Sequence, residues 1–493
     1  MSREEQIITE RKKKLQGLRK FLNPYPYKFD VKNFSDEIKE KFKVLKNNQK
    51  SNKKVTVAGR VMSIRNLGKI IFVHIQDSRG KLQIILQDKE TNKKNFELFK
   101  KYIDVGDFVG CQGVVVKTKT GEISVLVKKL ELLTKALLPL PEKWHGLKDE
   151  EERYRKRYLD LIMNSEVKRI FDKRTESLDA IRELMKKKNI IEVETPYLQT
   201  IYGGALAKPF KTHLNALNVD LYLAISPELF LKRLVVGGYD KIFTISRNFR
   251  NEGIDRWHNP EFTMMEIYIA YNDYNDMMNL FEEIYEYVSK KVNGSTKVKF
   301  RGKIIDFKKP WKRMTMVACI KKYAKIDINK MSVKQISEFV KKNKIESKQD
   351  VWGWNAQAIF EHFCQDKLEQ PTFILDHPLE TTPLCKTHRN DKLCRTIERF
   401  EPFCMGTELG NAYSELNDPE IQRELLEKQQ KLKKEKNDEE AHPLDEDFLN
   451  ALEIGMPPTG GLGLGIDRMV MLLTGQDSIK DVILFPFMKP VFE

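Results

Sequence analysis

The chain is predicted to be α+β, with a small five-stranded β-barrel near the N-terminus and then a larger domain whose antiparallel sheet is flanked by helices. Between Val55 and Leu132, five short alternating runs follow one another, broken by Gly68, Gly80, Gly106 and Gly121; closely spaced strands with turn signals close into small barrels. Beyond Pro141, long helical patterns alternate with strands to the end, the mixture expected when helices cover an antiparallel sheet. The 493 residues, 41% hydrophobic, suffice for two or three domains, and no apolar stretch reaches membrane-spanning length.

Taken in order, residues 3–20 read as a charged helix with Ile7, Ile8, Leu15 and Leu18 as a thin apolar stripe, ended by Pro24 and Pro26. They open a basic N-terminal helical extension, 1–54, with sixteen Lys and Arg against seven Asp and Glu. Such an excess suits an RNA backbone or a solvated helix face. The five strands are expected at Val55–Val61, Ile70–Gln76, Leu82–Leu86, Phe108–Val116 and Ile123–Leu132, in a domain spanning 55–136. Leu137-Leu138-Pro139-Leu140-Pro141 and the charged stretch after it mark a linker, 137–160, and the second domain runs from 161 to 493. There, residues 165–188 form a helix with the stripe Val167, Ile170, Phe171, Leu178, Ile181 and Leu184. Residues 320–370 read as a helical insertion, and Gln422 to Glu440 as a solvated charged helix or loop.

Net charge is +16, from 87 Lys and Arg against 71 Asp and Glu, a basic excess that suits a polyanion. The six cysteines, Cys111, Cys319, Cys364, Cys385, Cys394 and Cys404, lack C-x₂-C spacing, so neither a zinc site nor a disulfide framework is indicated and reduced thiols of a cytoplasmic enzyme are expected. Glu4, Glu5 and Glu10, without an apolar run, argue against a secretory signal.

Chemistry concentrates in three places. Arg250-Asn251-Glu252-Gly253 is followed by His258-Asn259-Pro260-Glu261-Phe262, delivering a guanidinium, a carboxylate, an imidazole and an aromatic ring to one nucleotide-sized site. On strands, Arg250 and Glu252 would point one way, and Phe262, Met264, Glu266 and Tyr268 would share a face. A guanidinium donates in parallel to two phosphate oxygens, and a ring can stack on a purine. Near the C-terminus, Gly460-Gly461-Leu462-Gly463-Leu464-Gly465 reads as a strand-to-helix turn into a buried helix, with Arg468 in its first turn, where phosphates are favoured. Finally, if Asn411 to Glu415 is extended, Asn411, Tyr413 and Glu415 line one face, while Glu401 and Glu408 offer hard oxygen donors for Mg²⁺.

In sequence order, the segment ending Ile191-Glu192-Val193-Glu194-Thr195-Pro196, the run Phe249 to Phe262 and the run Gly463 to Arg468 resemble motifs 1, 2 and 3 of the class II aminoacyl-tRNA synthetases. On this resemblance the motifs span about 175–197, 243–268 and 460–473. Gly203-Gly204-Ala205-Leu206-Ala207-Lys208-Pro209-Phe210, Pro227-Glu228-Leu229-Phe230, His258 to Phe262 and Asn411 to Asp418 are similar to lysyl-tRNA synthetases of subclass IIb rather than to their aspartyl or asparaginyl siblings. The barrel would then be an OB-fold that reads the anticodon, with Phe72 and Gln83 at the matching positions and His74 nearby; unpaired bases are read by stacking and hydrogen bonds.

The resemblance further implies ATP-dependent joining of L-lysine to tRNA(Lys) through a lysyl-adenylate, with Mg²⁺ and a homodimer in which the 165–188 helix packs against its twin. Arg250 and Arg468 are the implied catalytic residues, at the α- and γ-phosphates. The lysine set is Gly204, Glu228, Glu252, Glu266, Tyr268, Asn411, Tyr413 and Glu415. The ATP set is Arg250, Asn251, Glu252, His258, Asn259, Phe262, Glu408, Leu409, Gly463, Gly465 and Arg468, and Glu401 and Glu408 hold the metal. A buried ammonium needs acidic partners, and Glu228 and Glu415 supply them, where an aspartate pocket would need the opposite sign. A sibling asparagine or aspartate enzyme and a non-catalytic RNA-binding paralogue are the alternatives; the latter would be expected to lose Arg250, Glu408 or Arg468, all of which are present.

Overall fold

The structure, a computed structural model, describes residues 2–141, 149–436, 440 and 442–491. Residues 142–148 of the expected linker and 437–439 of the expected charged segment lie outside these. The chain divides into two compact units, Met1–Leu147 and Lys148–Glu493.

In the first unit, helices α1 (Arg3–Leu18) and α2 (Ser35–Phe42) precede strands β1 (Lys50–Asn66), β2 (Ile70–Gln76) and β3 (Lys81–Gln87); helix α3 (Lys93–Tyr102) then leads to β4 (Phe108–Lys117) and β5 (Ile123–Thr134). The strands close a barrel in the order β1-β2-β3-β5-β4. Alternation sets its inside: Ile71, Val73 and Ile75 of β2 face Ile84 and Leu86 of β3 in the core, leaving Phe72 and His74 on the outer face. α3 was not anticipated, although Asn92 caps it by accepting from the Lys94 and Asn95 N–H groups. Part of the basic helix is spent internally, since Arg11 donates to the Val105, Ala136 and Leu138 carbonyls and Lys14 pairs with Asp104 at 2.7 Å.

In the second unit, α4 (Glu150–Arg155), α5 (Arg157–Met163) and the long α6 (Ser165–Lys187) lead to β6 (Ile191–Glu192). A small sheet of β7 (Leu198–Gln199), β8 (Lys211–Leu214) and β9 (Val219–Leu223) precedes α7 (Glu228–Val236). The hairpin β10 (Lys241–Phe249) and β11 (Glu261–Ala270) is followed by α8 (Tyr274–Asn293) and a second hairpin, β12 (Lys297–Phe300) with β13 (Lys303–Asp306). β14 (Lys312–Thr315), the helices α9 (Met316–Tyr323), α10 (Val333–Lys342) and α11 (Trp352–Phe363), and β15 (Thr372–Leu375) follow. The chain continues through β16 (Arg399–Cys404), β17 (Thr407–Glu408), β18 (Gly410–Ser414), α12 (Pro419–Lys436), α13 (Glu446–Ile454), β19 (Thr459–Gly465), α14 (Ile466–Thr474) and α15 (Ile479–Val482).

The main sheet runs β14-β15-β16-β18-β19-β11-β10-β6, with β17 paired to β16. It is antiparallel from β15 to β10 and has a parallel pair at each edge, β14 with β15 and β10 with β6. One face packs on α8 and α14 around Phe281, Tyr285, Phe373, Phe400, Leu462 and Leu464; the other is free for a site.

The stripe of α6 is covered within this chain: Val167, Phe171, Ile181 and Leu184 are buried, and Ile170 and Leu178 pack on the main core. Two expectations change. Arg250 and Glu252 do not share a strand, because β10 stops at Phe249 and the loop is drawn together by Asp255 Oδ1, which accepts from the Trp257 and His258 N–H groups. The Gly460–Gly465 run is not a turn but β19 itself, with α14 beginning directly after it.

Candidate active site

Three neighbouring strands floor the site, and their alternation decides which residues reach it. In β11, Met265, Ile267 and Ile269 face the core, so Phe262, Met264, Glu266 and Tyr268 face out. In β19, Leu462 and Leu464 face the core, leaving Gly461 and Gly463 outward. Register aligns them into rows: Glu266, Gly463 and Asn411 across one line, Tyr268, Gly461 and Tyr413 across the next. The central glycines make a trough between two walls of side chains. A Cβ on Gly461 would stand 1.8 Å from Glu415 Oε1 and 2.7 Å from the Tyr268 ring, so no larger residue fits there. Gly204 is equally constrained, with φ +87° and a Cβ that would lie 2.7 Å from Ser226 Oγ.

Two cavities open over this floor. The first, of about 250 Å³, is walled by Glu228, Glu266, Tyr268, Tyr413 and Glu415. The second, of about 170 Å³, is walled by His258, Phe262, Leu409, Gly465 and Arg468. Arg250, Met264, Glu408 and Asn411 line both, and so stand where the two meet.

The first cavity is acidic, and Glu228, Glu266 and Glu415 are buried in its wall. Burial, reinforced by the nearby Glu228, pushes Glu266 up to about 8. Burial likewise pushes Glu415 up to about 8, with Lys232 opposing and Glu228 reinforcing the shift, and it raises Glu228 itself. Ser226 Oγ donates to Glu266 Oε1 at 2.8 Å and the Tyr268 hydroxyl to Oε2 at 3.2 Å. Lys232 Nζ donates to Glu228 Oε1 at 2.7 Å and is ion-paired with Glu415. Burial alone would lower the Lys232 ammonium, but Glu228 and Glu415 together hold it above its ordinary range.

In the second cavity the Arg250 guanidinium lies 5.1 Å from the centroid of the Phe262 ring. Arg468, in the first turn of α14, donates to the Glu408 carbonyl at 2.7 Å and to His258 Nε2 at 3.1 Å. Because arginine can only donate, Nε2 accepts and Nδ1 carries the proton, which it gives to Asp255 Oδ2 at 2.8 Å. The buried Asp467 beside Arg468 accepts from Arg174 of α6 at 2.6 Å and from the Thr263 N–H at 2.7 Å, tying α6, β11 and α14 together. Glu401 and Glu408 line the first cavity together. Burial raises both carboxyls, and Glu401 raises Glu408 further.

Residues 149–489, well over half of the chain, match the family described as tRNA synthetases class II (D, K and N). The chain belongs to this family. Residues 55–133 of the synthetase match an OB-fold nucleic acid binding domain. Proteins named lysine–tRNA ligase from Methanoculleus marisnigri, Clostridium novyi and Thermosipho africanus are 52%, 50% and 48% identical to it over 479, 492 and 473 residues. The alignments cover 97%, 98% and 96% of the synthetase and 94%, 94% and 93% of those relatives.

In the synthetase, Gly204, Glu228, Glu266, Tyr268, Asn411, Tyr413 and Glu415 come together in the first cavity. Arg250, His258, Asn259, Phe262, Glu408, Leu409, Gly465 and Arg468 gather in the second. Glu252 lines only the second cavity, and Gly463 only the first. Asn251 lines neither; its N–H donates to the Lys208 carbonyl at 2.8 Å. Ser226, Lys232, Arg399 and Asp467 were missed. Lys232, four residues after Glu228 on one helix, carried a readable signal, the Glu–Lys pair at i,i+4. Arg399, which pairs with Glu401 and lies 5.6 Å from the centroid of the Tyr413 ring, carried none.

On the barrel, His74 and Gln83 are direct cross-strand partners. Gln83 is buried and committed at both ends, donating to Glu122 Oε2 at 2.9 Å and accepting from Ser124 Oγ at 2.8 Å. His74 Nε2 lies 3.0 Å from Glu122 Oε1, so the half-exposed Glu122 carboxylate, overlooked in the sequence, organises this face.

Proposed function

We propose that this chain joins L-lysine to the 3′ end of tRNA(Lys) in two steps, first forming lysyl-adenylate and pyrophosphate from lysine and ATP. The observation that carries the reading is the pair of cavities meeting at Arg250, one with Glu228, Glu266 and Glu415 together at its far end and the other walled by cationic and aromatic groups. Lysine lies with its side-chain ammonium between Glu228 and Glu415 and its α-amino group toward Glu266 and Gly204. That orientation sends its carboxylate to the junction, where Asn411 and Arg250 hold it against the α-phosphate. Arg250 stabilises the charge that develops as the carboxylate attacks phosphorus in line, Phe262 stacks on the purine, and Arg468 with His258 grips the β/γ end. Once the adenylate has formed, the ribose hydroxyl of the tRNA terminus attacks its carbonyl carbon and AMP leaves.

Glu401 and Glu408 fit a Mg²⁺ site: they are hard oxygen donors whose carboxyls burial holds up, Glu408 further by the nearby Glu401, so a cation between them would relieve both. Among the described residues no group of three or more His, Cys, Asp or Glu could hold a metal, which leaves the remaining ligands to phosphate oxygens. When bound, the ion neutralises charge on the triphosphate. The outer face of the barrel reads the anticodon, with Phe72 supplying stacking and Gln83, through its bond to Glu122, holding that face in shape. A homodimer forms through the apolar surface at Ile191, Tyr197 and Leu198, which are 54%, 47% and 52% exposed. The six free thiols, five of them buried, suit the reducing cytoplasm.

An aspartate or asparagine enzyme would have to place an anionic or neutral side chain against three carboxylates. Amino-acid-dependent pyrophosphate exchange across the twenty amino acids, followed by charging of purified tRNA, tests the reading. Lysine alone should support exchange; exchange with aspartate or asparagine, or none at all, would overturn it.

A further inference from the structure

We propose that Lys232 is a positioning residue for amino-acid selection: its buried ammonium bridges Glu228 and Glu415, sets the charge of the pocket and leaves one Glu415 oxygen aimed at the guest. The Lys232 side chain is fully buried and does not line the cavity. Its Nζ donates to Glu228 Oε1 at 2.7 Å and contacts Glu415 Oε2, with the Phe448 ring 6.0 Å behind it. Neither Glu415 oxygen has a hydrogen-bond partner among the described residues; Oε2 is ion-paired with Lys232, while Oε1 lies over Gly461, facing the trough. A buried carboxylate oxygen left open in this way costs free energy until a donor arrives.

The inference rests on the lysine-pocket reading above and extends it by charge arithmetic. Once all three are ionised around a bound guest, Glu228, Glu266 and Glu415 bring three negative charges, and Lys232 returns one positive. The remaining two equal the two ammonium groups of free lysine, whose carboxylate lies outside the pocket at Arg250. Other titratable groups face this cluster from neighbouring elements: Arg250 after β10, Tyr268 from β11, Arg399 from β16, Tyr413 from β18, and Cys385, bridged to Glu415. Of these only the two arginines are charged at neutral pH; Arg399 is paired with Glu401, and Arg250 stands at the junction, where the guest's own carboxylate offsets it. Lys232 opposes the upward shift of Glu228 and Glu415, so without its ammonium these buried carboxyls would keep their protons to still higher pH. Those protons would have to leave before a charged guest could be paired.

Lys232→Met and Glu228→Gln, assayed side by side in lysine-dependent pyrophosphate exchange, test this. Lys232→Met should raise the lysine KM at least tenfold while the ATP KM stays within twofold. The pH at which its lysine KM falls should move upward from that of the parent. A lysine KM that is unchanged or lower, one that rises in step with the ATP KM, or a pH profile like the parent's would overturn the proposal. If Lys232→Met does not fold, Lys232→Gln, whose amide still donates to Glu228, carries the same measurements, and parent-like behaviour in it is equally fatal. An unchanged lysine KM in Glu228→Gln would instead sink the pocket reading itself; a raised one beside a parent-like Lys232→Met would sink only the role of Lys232.

Discussion

Arg250 stands where the two cavities meet, which on the proposed reading places it against both the lysine carboxylate and the α-phosphate. Losing a donor aimed at developing transition-state charge costs about 3–4 kcal/mol, so Arg250→Ala should lower kcat for pyrophosphate exchange by roughly two to three orders of magnitude. Near-normal exchange would remove it from the transition state. The acidic wall makes a second residue-scale prediction. Glu266 and Glu415 are pushed up to about 8 by burial, whereas a lysine ammonium binds the ionised forms, so the lysine KM should fall as pH rises from about 6.5 to 8.5. Stability moves the other way. These carboxyls hold protons in the folded chain at pH values where the unfolded chain, with pKa values of roughly 4.3, has lost them. Their stabilising contribution is full below that value and is lost as pH rises through about 8. Thermal midpoints and exchange kinetics over the same pH series should therefore slope in opposite senses; a flat lysine KM would contradict the assignment.

Among the elements, the site depends on strands and helices that touch no substrate. Asp467 joins α6, β11 and α14 through Arg174 and the Thr263 N–H, and Thr263 lies between Phe262 and Met264. Breaking a buried ion pair from one side costs about 3–5 kcal/mol, so Asp467→Ala should lower the urea midpoint of the second unit and raise the ATP KM as β11 loosens. A parent-like midpoint would show the tie to be dispensable. Element identity was largely legible: β2 spans Ile70–Gln76 as its alternation indicated, and β18 is extended where Asn411, Tyr413 and Glu415 had to share a face. α3 escaped because Phe96 and Phe99 are its only buried residues, set among lysines that read as loop. The α6 stripe fitted core and partner alike, because an amphipathic pattern marks a buried face without naming what buries it.

For the whole molecule, the apolar surface at Ile191, Tyr197 and Leu198 carries the assembly prediction. Leu198→Asp should convert a dimer to a monomer in sedimentation equilibrium, and a parent that is itself monomeric would refute the proposed dimer. The anticodon face makes a separate prediction, because base–aromatic stacking contributes about 1–3 kcal/mol. Phe72→Ala should weaken tRNA charging by that much while leaving pyrophosphate exchange intact, and unchanged charging would remove Phe72 from recognition.

The sequence by itself determined the five barrel strands, the alternating faces of β11 and β18, and the residue types reaching the site, because side-chain direction along a strand follows from period alone. Only the tertiary structure decided that Gly461 must stay bare beneath Glu415, that Asn251 turns away to Lys208, and that Lys232 closes the acidic pocket from behind. Those facts depend on distances between segments far apart in the chain, fixed by strand register and helix docking, and no local pattern encodes such a distance.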